Sequence, residues 1–243
     1  MRDGAVALLE LRTVTAGYGA MTVLHDLSFA VEPGEIVAIL GTNGSGKSTV
    51  LKTVLGLTRV SAGAVLLEGH DVTTWPGHRR AAAGLGYAPQ TQNVFADLTV
   101  RENLRMGAYL HPRAWSRDAE QVYALFPPLA TRRKERAGTL AGGERRMLAL
   151  GLTILLRPRV LLLDEPSSDL APATADVVFA AIARLHTEAK LPILLVEQNV
   201  TRALSLAHRV LVLVRGRDAL DVPAADLDLA HLHQLFLEGN ATP

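Results

Sequence analysis

Apolar and polar residues alternate along the beginning of the chain, as they do in strands that bury one face. Segments 8–14 and 23–31 carry this alternation, and Pro33 and Gly34 mark a turn directly after the second segment. Shorter apolar runs predict further strands at residues 35–40, 63–68 and 84–88. The first part of the chain is therefore predicted to be rich in β structure, antiparallel at its start.

The second half of the chain alternates between helical and strand-like patterns. A long helix is predicted over residues 144–156, and Pro158 ends it. The elements that follow are a strand at 160–164, a helix at 172–188, a strand at 193–196, a helix at 200–206 and a strand at 210–214. Because apolar strands that alternate with helices form parallel sheets, we predict a mainly parallel sheet with helices on both faces. The tail from Ala219 is predicted to be a short helical appendage.

Between these two halves lies a stretch of helical character. Thr99 and Glu102 have the spacing of a capping box, which marks the start of a helix, and prolines then separate two or three helical segments. The predicted fold class is α/β, with an α/β core formed by residues 1–90 and 141–243. Its first strands form an N-terminal antiparallel sheet, and a helical subdomain is inserted at residues 91–140.

The composition narrows the classes of function. The chain has 243 residues, a formal net charge of +1 and no cysteine. A net charge of +1 gives no broad basic face, so nucleic acid is not the default partner. The absence of cysteine excludes disulfides and thiolate metal sites. None of the eight histidines forms an H-x-x-x-H or H-E-x-x-H zinc pattern. With no secretory signal and no apolar run near the ~18 residues of a membrane span, a cytosolic protein is expected.

A glycine-rich segment indicates phosphate chemistry. It matches the G-x-x-x-x-G-K-[ST] pattern and stands between the predicted strand 35–40 and a predicted helix at 48–55. Its members are Gly41, Thr42, Asn43, Gly44, Ser45, Gly46, Lys47, Ser48 and Thr49. The glycines let backbone N–H groups turn around an anion, Lys47 reaches the β- and γ-phosphates, and the Ser48 hydroxyl can bind Mg²⁺. The protein is therefore predicted to bind a nucleotide.

Two carboxylates follow the apolar strand at 160–164. Asp164 stands where a strand can present a carboxylate to Mg²⁺ or its water shell, and Glu165 is placed to polarise an attacking water. A strand that ends in two acids is a weak signal alone. Together with the phosphate loop it predicts nucleotide hydrolysis.

A second glycine pair stands just before the predicted long helix, in the segment that contains Ala141, Gly142, Gly143 and Glu144. Glycines at a helix start form an anion-binding nest, and a single domain does not obviously need two such nests. At this point the chain resembles the ATP-binding cassette (ABC) family of P-loop ATPases. In that family the second nest is the signature motif, which acts on ATP bound to a partner cassette.

The resemblance to ABC ATPases covers nearly the whole chain and implies roles for further residues. Tyr18 matches the aromatic residue that stacks on adenine, and a core tyrosine at a strand end is an equal alternative. Gln90 matches the glutamine that reaches Mg²⁺ or the attacking water and senses the transporter. Residues 167–170 match the loop that crosses the dimer interface. Phe95 lies where family members receive the coupling helix of the transporter, and a core position is an equal alternative for it.

The resemblance also implies which residues bind the metal and which take part in hydrolysis. The expected metal ligands are Ser48, Gln90 and Asp164. The expected catalytic residues are Lys47, Gln90, Glu165 and Gln198. Among these, Glu165 orients the attacking water and Gln198 steadies the terminal phosphate.

Within the family, the chain looks most similar to ATPase subunits of branched-chain amino acid importers. The stretches that carry this similarity are 93–104, 170–172 and 196–199. The resemblance implies a peripheral subunit on the inner face of the cell membrane, which binds transmembrane permease subunits and uses ATP and Mg²⁺ to power import. The solute class rests on the resemblance alone, because such a subunit does not touch the solute.

Two residues depart from the family pattern. Ala141 replaces a serine whose hydroxyl meets the partner's γ-phosphate, and Gln198 replaces a histidine. Glutamine keeps the hydrogen bonds of that position but cannot carry a positive charge. In a head-to-tail homodimer both ATP sites would lack both groups, whereas in a heterodimer each site would lack only one.

These departures leave alternatives open. Pairing with a second, different ABC ATPase subunit is favoured, and a homodimer is the alternative. The competing functions are a binding-only regulatory cassette, which needs a competent partner, and a nucleic-acid-associated ABC ATPase. The latter usually carries two cassettes, a coiled-coil insertion or a basic linker, and the sequence shows none of these.

Overall fold

Two β-sheets bring the predicted strands together. The computed structural model describes residues 6–91 and 94–240, so Asn93, at the start of one importer-like stretch, lies outside the described residues. The strands are β1 (Leu9–Tyr18), β2 (Met21–Val31), β3 (Ile36–Leu40), β4 (Arg59–Leu67), β5 (His70–Asp71), β6 (Leu85–Ala88), β7 (Val160–Asp164), β8 (Ile193–Val196), β9 (Arg209–Val214) and β10 (Arg217–Pro223). They pair in the spatial orders β2-β1-β4-β5 and β10-β9-β3-β8-β7-β6.

The first sheet confirms the antiparallel start of the chain. Strand β1 pairs antiparallel with both β2 and β4, and it buries Leu9, Leu11 and Val14. It continues to Tyr18, beyond the predicted end at residue 14. Register shifts after Arg12 interrupt the alternation of buried and exposed side chains in this strand. An alternating pattern in the sequence therefore does not predict the rest of the strand.

The second sheet is parallel except at the β10 edge. Strand β3 pairs in parallel with β8 and β9, and β7 pairs in parallel with β6 and β8. Both faces of its central strands are buried. In β7, Val160 and Leu162 pack in one hydrophobic cluster, while Leu161 and Leu163 pack in another. This confirms the predicted sheet with both faces covered, which is why its strands are continuously apolar.

The helices mostly lie where the sequence pattern places them. They are α1 (Lys47–Val54), α2 (Gly77–Ala82), α3 (Val100–Gly107), α4 (Trp115–Leu125), α5 (Pro127–Thr131), α6 (Gly142–Leu155), α7 (Pro172–Ala189), α8 (Val200–Leu206) and α9 (Leu229–Asn240). The capping box before α3 is confirmed. The Thr99 N–H donates to Glu102 Oε2 at 2.8 Å, and the Glu102 N–H donates to Thr99 Oγ1 at 3.2 Å. The sequence pattern does not predict the short helix α2.

The tail requires a correction. The helical appendage predicted from Ala219 is wrong for its first residues, because they belong to β10, which pairs antiparallel with β9. This strand carries few apolar residues, and a register shift between Asp218 and Leu220 interrupts its alternation. Its pairing with β9, rather than its own pattern, therefore defines it. The helix of the tail is α9.

Helix α6 packs against the helices of the inserted stretch. Leu104 of α3, Val122 of α4 and Leu148 of α6 share one cluster with β7 and β8. Gly151 of α6 allows this approach, since a Cβ there would lie 2.7 Å from Val122 Cγ1. The division of the chain into a core and an inserted subdomain at 91–140 stays a prediction.

Candidate functional site

The segments that carry the predicted chemistry meet at one edge of the parallel sheet. Parallel strands all end at the same edge, and their register is close: Ile39 and Asp164 both pair with Val196. The phosphate loop follows β3, Gln90 follows β6, Glu165 follows β7 and Gln198 follows β8. Crevices at the carboxyl ends of such strands are the usual ligand sites of open α/β sheets.

The phosphate loop has the backbone that its glycines predict. Gly44 and Gly46 have φ angles of 80° and 105°, which side chains with a Cβ adopt poorly. Gly41 is confined by packing, since a Cβ there would lie 2.5 Å from the Leu213 carbonyl oxygen. The buried Ser45 Oγ has no hydrogen-bond partner among the described residues. An unsatisfied polar atom inside a glycine-rich loop fits a loop that receives a polar ligand.

Lys47 is buried within this loop and is 5% exposed. Its Nζ donates to the carbonyl oxygens of Gly41 at 2.9 Å and Thr42 at 3.0 Å. Burial lowers the pKa of Lys47, and the nearby carboxylates of Glu165 and Asp164 act in the opposite direction. The ammonium group is therefore held by backbone carbonyls of the phosphate loop and is stabilised by the charges of two nearby acids.

Asp164 is held by two hydroxyl groups. Ser48 Oγ donates to its Oδ1 at 3.1 Å, and the Tyr87 hydroxyl donates to its Oδ2 at 3.1 Å. Burial, followed by the Asp164 charge, raises the pKa of Tyr87, which keeps this phenol protonated as a donor. This role of Tyr87 was not predicted from the sequence. The strand register that brings it beside β7 was the signal needed, and a single sequence does not contain it.

Glu165 lies between two glutamine side chains. Gln198 Nε2 donates to its Oε1 at 2.8 Å, and Gln90 Nε2 donates to its Oε2 at 3.1 Å. Glu165 is 7% exposed and has a φ of 46°, a conformation that is uncommon outside glycine. The structure thus brings together three of the predicted catalytic residues, each from a loop after a different strand.

A buried acid next to this cluster shapes the loops around it. Glu197 is 2% exposed, and its carboxylate accepts the backbone N–H groups of Ser167, Gln198 and Asn199 at 3.0, 3.0 and 3.3 Å. It ties the loop after β7 to the loop after β8. Glu197 was not predicted to have this role, although an acid directly after a buried strand was a usable signal in the sequence.

Tyr18 lines an open cavity of ≈ 700 Å³ beside the phosphate loop. Other residues of this lining are Asn43, Gly44, Gly46, Lys47, Ser48, Thr49, Glu165 and Arg215. Tyr18 is 38% exposed, so it does not belong to the buried core. Tyr18 thus borders the cavity next to the loop, and its stacking on adenine stays a prediction.

The signature segment lies apart from this cavity. Ala141 occupies the N-cap position of α6, and its N–H donates to Glu144 Oε2 at 2.9 Å. Gly142 lines a separate cavity of ≈ 320 Å³ together with Gln90 and Asp169. Gly143 packs on α7, where a Cβ would lie 2.2 Å from Thr174 Cγ2. The structure does not bring the two predicted phosphate nests together within this chain.

The described part of the chain was compared with two further kinds of site, a cluster of metal-ligating side chains and a membrane-spanning helix. Across the residues that the structure describes, no three histidine, aspartate or glutamate side chains gather as metal ligands. The predicted metal set instead combines the Ser48 hydroxyl and the Gln90 amide with one carboxylate. Within residues 6–91 and 94–240, none of the helices combines the length and hydropathy that crossing a bilayer requires.

Comparison with known proteins gives matches over most of the chain. A family model described as "ABC transporter" matches residues 24–168. The "Probable branched-chain amino acid transport ATP-binding protein LivF" of Archaeoglobus fulgidus is 44% identical over 220 residues, which cover 89% of this chain and 93% of that protein. The "High-affinity branched-chain amino acid transport ATP-binding protein BraG" of Pseudomonas aeruginosa is 38% identical over 234 residues, 96% of this chain and 100% of that protein.

A solved structure described as the ATP binding subunit of an ABC transporter is similar with a TM-score of 0.82. It is 26% identical, and the match covers 96% of this chain and all of that one. The family match runs from β2 past Glu165, so it includes both the phosphate loop and the two carboxylates. The chain belongs to the ABC transporter family and is one of its ATPase cassettes.

Proposed function

We propose that this chain hydrolyses Mg²⁺-bound ATP to power a membrane importer for branched-chain amino acids or related amides. The observation that carries the hydrolytic part is the position of Glu165, buried beside Lys47 and held by two amide groups. The solute class is supported by the names of two relatives, both branched-chain amino acid transport ATP-binding proteins.

The phosphate loop would bind the triphosphate. Its backbone N–H groups and Lys47 provide the positive potential opposite the β- and γ-phosphates, and Tyr18 provides a flat surface for adenine. The orphaned Ser45 Oγ supports a polar ligand inside this loop. The segment 141–144 would act on ATP held by another cassette, through the N–H groups at the start of α6.

Mg²⁺ fits the oxygen groups next to the loop. Ser48 Oγ and Asp164 Oδ1 are 3.1 Å apart, and hydroxyl, carboxylate and amide oxygens are the ligands that this hard cation prefers. We assign Ser48, Asp164 and Gln90 to hold it. When bound, the cation would neutralise part of the phosphate charge.

Glu165 would orient the attacking water and accept its proton. Each of its carboxylate oxygens already accepts one amide hydrogen bond, from Gln198 and from Gln90. These bonds fix the plane of the carboxylate while lone pairs remain for a water. Gln198 thus supports the Glu165 position directly, and it can also hydrogen-bond the terminal phosphate.

The assembly would contain a second, different cassette. In the family's head-to-tail arrangement, Ala141 would face the ATP held by the partner, while Gln198 would face the ATP held by this chain. A partner that carries serine and histidine at these positions would leave each site with only one departure. A homodimer would place both departures in both sites.

A surface next to Gln90 would receive the permease. Phe95, Met106 and Tyr109 are 52%, 49% and 60% exposed and line one cavity of ≈ 360 Å³. Buried Asn103 fixes the Phe95 backbone through hydrogen bonds to its N–H and carbonyl at 2.7 and 2.9 Å. The exposed Phe95 removes its core alternative and supports permease docking, which would keep the subunit at the inner face of the cell membrane.

The test is ATP hydrolysis by the chain assembled with its permease and partner cassette. We expect Glu165→Gln to reduce the rate at this chain's site by about a hundredfold or more while ATP binding is kept, as for removal of a general base. Glu188→Gln, on the exposed face of α7, is the matched control. Phe95→Ala should weaken assembly with the permease and leave ATP binding unchanged.

The outcomes separate the two candidate functions. Loss of hydrolysis in Glu165→Gln supports the proposal, and an unchanged rate at this chain's site contradicts it. Gln198 favours the alternative of a binding-only cassette, because it would face this chain's own ATP and cannot carry the positive charge of a histidine. ATP binding without hydrolysis at this chain's site in the complete assembly would establish that alternative.

A further inference from the structure

The turn between β9 and β10 contacts the phosphate loop. The sequence pattern does not predict β10, so this contact is seen only in the structure. Val214 pairs with Arg217, so Arg215 and Gly216 form a two-residue hairpin turn. Their φ angles are 48° and 76°, and positive values at both positions are typical of type I′ turns. Such a turn is tight, and the direction of its residues is fixed by the two strands.

Gly216 locks this turn between two parts of the nucleotide cavity. Its N–H donates to the Ser45 carbonyl oxygen in the phosphate loop at 2.9 Å, and its carbonyl oxygen accepts the His25 N–H at 2.9 Å. A Cβ on Gly216 would lie 1.8 Å from the Val23 carbonyl oxygen, so only glycine fits. The phosphate loop, β2 and the hairpin turn are therefore joined through one residue.

Arg215 carries a positive charge into the lining of this cavity. It shares the lining with Tyr18 and His25 and with six residues of the phosphate loop, namely Asn43, Gly44, Gly46, Lys47, Ser48 and Thr49. Lys47 and Glu165 also belong to the lining, and their formal charges cancel. The nearby Arg217 is not part of this lining, and its guanidinium lies 3.3 Å from the Asp26 carboxylate on the outer surface.

We propose that Arg215 is a nucleotide-binding residue that contacts the phosphate chain of ATP at its α-phosphate end. The inference rests on the proposed function, in which this cavity holds ATP. Lys47 serves the β- and γ-phosphates, so the α-phosphate, between the loop and the base, is the anionic group left for a second cation. A guanidinium group suits phosphate because its N–H groups form a planar fork. Gly216 acts as the positioning residue that holds Arg215 at the loop.

The test compares Arg215→Gln with Arg217→Gln, two exposed arginines of the same hairpin. Binding of ADP is measured by calorimetry, and binding of adenosine is measured by its competition with a fluorescent ATP analogue. We expect Arg215→Gln to weaken ADP binding about tenfold, the loss typical of one hydrogen bond to a charged group, and to leave adenosine binding unchanged. Arg217→Gln should change neither ligand, and Arg215→Lys should recover most of the ADP affinity.

Each result has a defined meaning. Equal weakening of ADP and adenosine would overturn the phosphate contact, because it would indicate a contact with the sugar or base. Unchanged ADP binding in Arg215→Gln would overturn the inference entirely. If the wild-type chain bound neither ADP nor the fluorescent ATP analogue, the proposed function itself would fail. The two failures are therefore distinguishable. In steady state the variant should raise KM for ATP and leave kcat unchanged, which a general loss of stability would not produce.

Discussion

The phosphate-loop side of the chain and the signature segment differ in burial: the first is buried and the second is exposed. Lys47, Asp164 and Glu165 are 5%, 5% and 7% exposed, and each has hydrogen-bond partners inside the chain. Ala141 and Gly142, in contrast, lie exposed at the start of α6. The first region holds its charges in place before any ligand arrives. The second presents backbone groups outward.

This difference indicates which steps one chain can perform alone and which require a second chain. Buried groups that already contact one another can bind nucleotide within a single chain, because little reorganisation is needed. An exposed helix start can act on a phosphate only when another molecule brings one. Changes to the buried groups that would contact the phosphates, such as Lys47, should therefore affect ATP binding. Changes in the signature segment should affect hydrolysis only, as should the loss of Glu165, which orients the attacking water.

The largest effect is expected on the buried side. Lys47→Ala removes the cation beside Asp164 and Glu165, and we expect ATP binding to weaken about a hundredfold, or roughly 3 kcal/mol. Calorimetric titration with ATP measures this loss. Lys134→Ala, an exposed lysine far along the chain, is the control. Equal ATP affinity in wild type and Lys47→Ala would show that the loop is not the nucleotide site.

A smaller effect is expected in the signature segment. Ala141→Ser adds the hydroxyl that the family pattern contains, and we expect the slow hydrolysis of the purified chain to rise about tenfold with ATP affinity unchanged. Serine is also a better helix cap than alanine by roughly 1 kcal/mol, so the melting temperature is measured as well. A higher melting temperature without a faster rate would mean that the hydroxyl only caps α6. Ala141→Gly, which adds no hydroxyl, should not accelerate hydrolysis.

The sequence was sufficient for the features that depend on local chemistry. The phosphate loop needs glycines at fixed spacing, the capping box needs Thr99 and Glu102, and β7 needs a continuous apolar run before its acids. Each of these signals lies within a few neighbouring residues. The sheets and the segments that carry Lys47 and Glu165 were therefore predictable.

Features that depend on pairing between distant segments were not predictable. Strand β10 has little pattern of its own and exists because β9 pairs with it. The Tyr87 contact with Asp164 follows from the register of β6 and β7, and the Gly216 contact with Ser45 joins residues far apart in the sequence. A single sequence contains no register, so these contacts appear only once the strands are aligned.

The most direct test of the central claim is the rate of ATP hydrolysis by the purified chain alone. The claim is that this chain alone contains a complete ATP-binding site but needs a different cassette for efficient hydrolysis. Glu165→Gln, prepared in parallel, measures any contaminating ATPase. We expect tight ATP binding and a rate at least about tenfold below that reached with the partner cassette, because the chain's own signature segment lacks one hydroxyl donor. Hydrolysis at the full rate by the chain alone would contradict the claim and establish a competent homodimer.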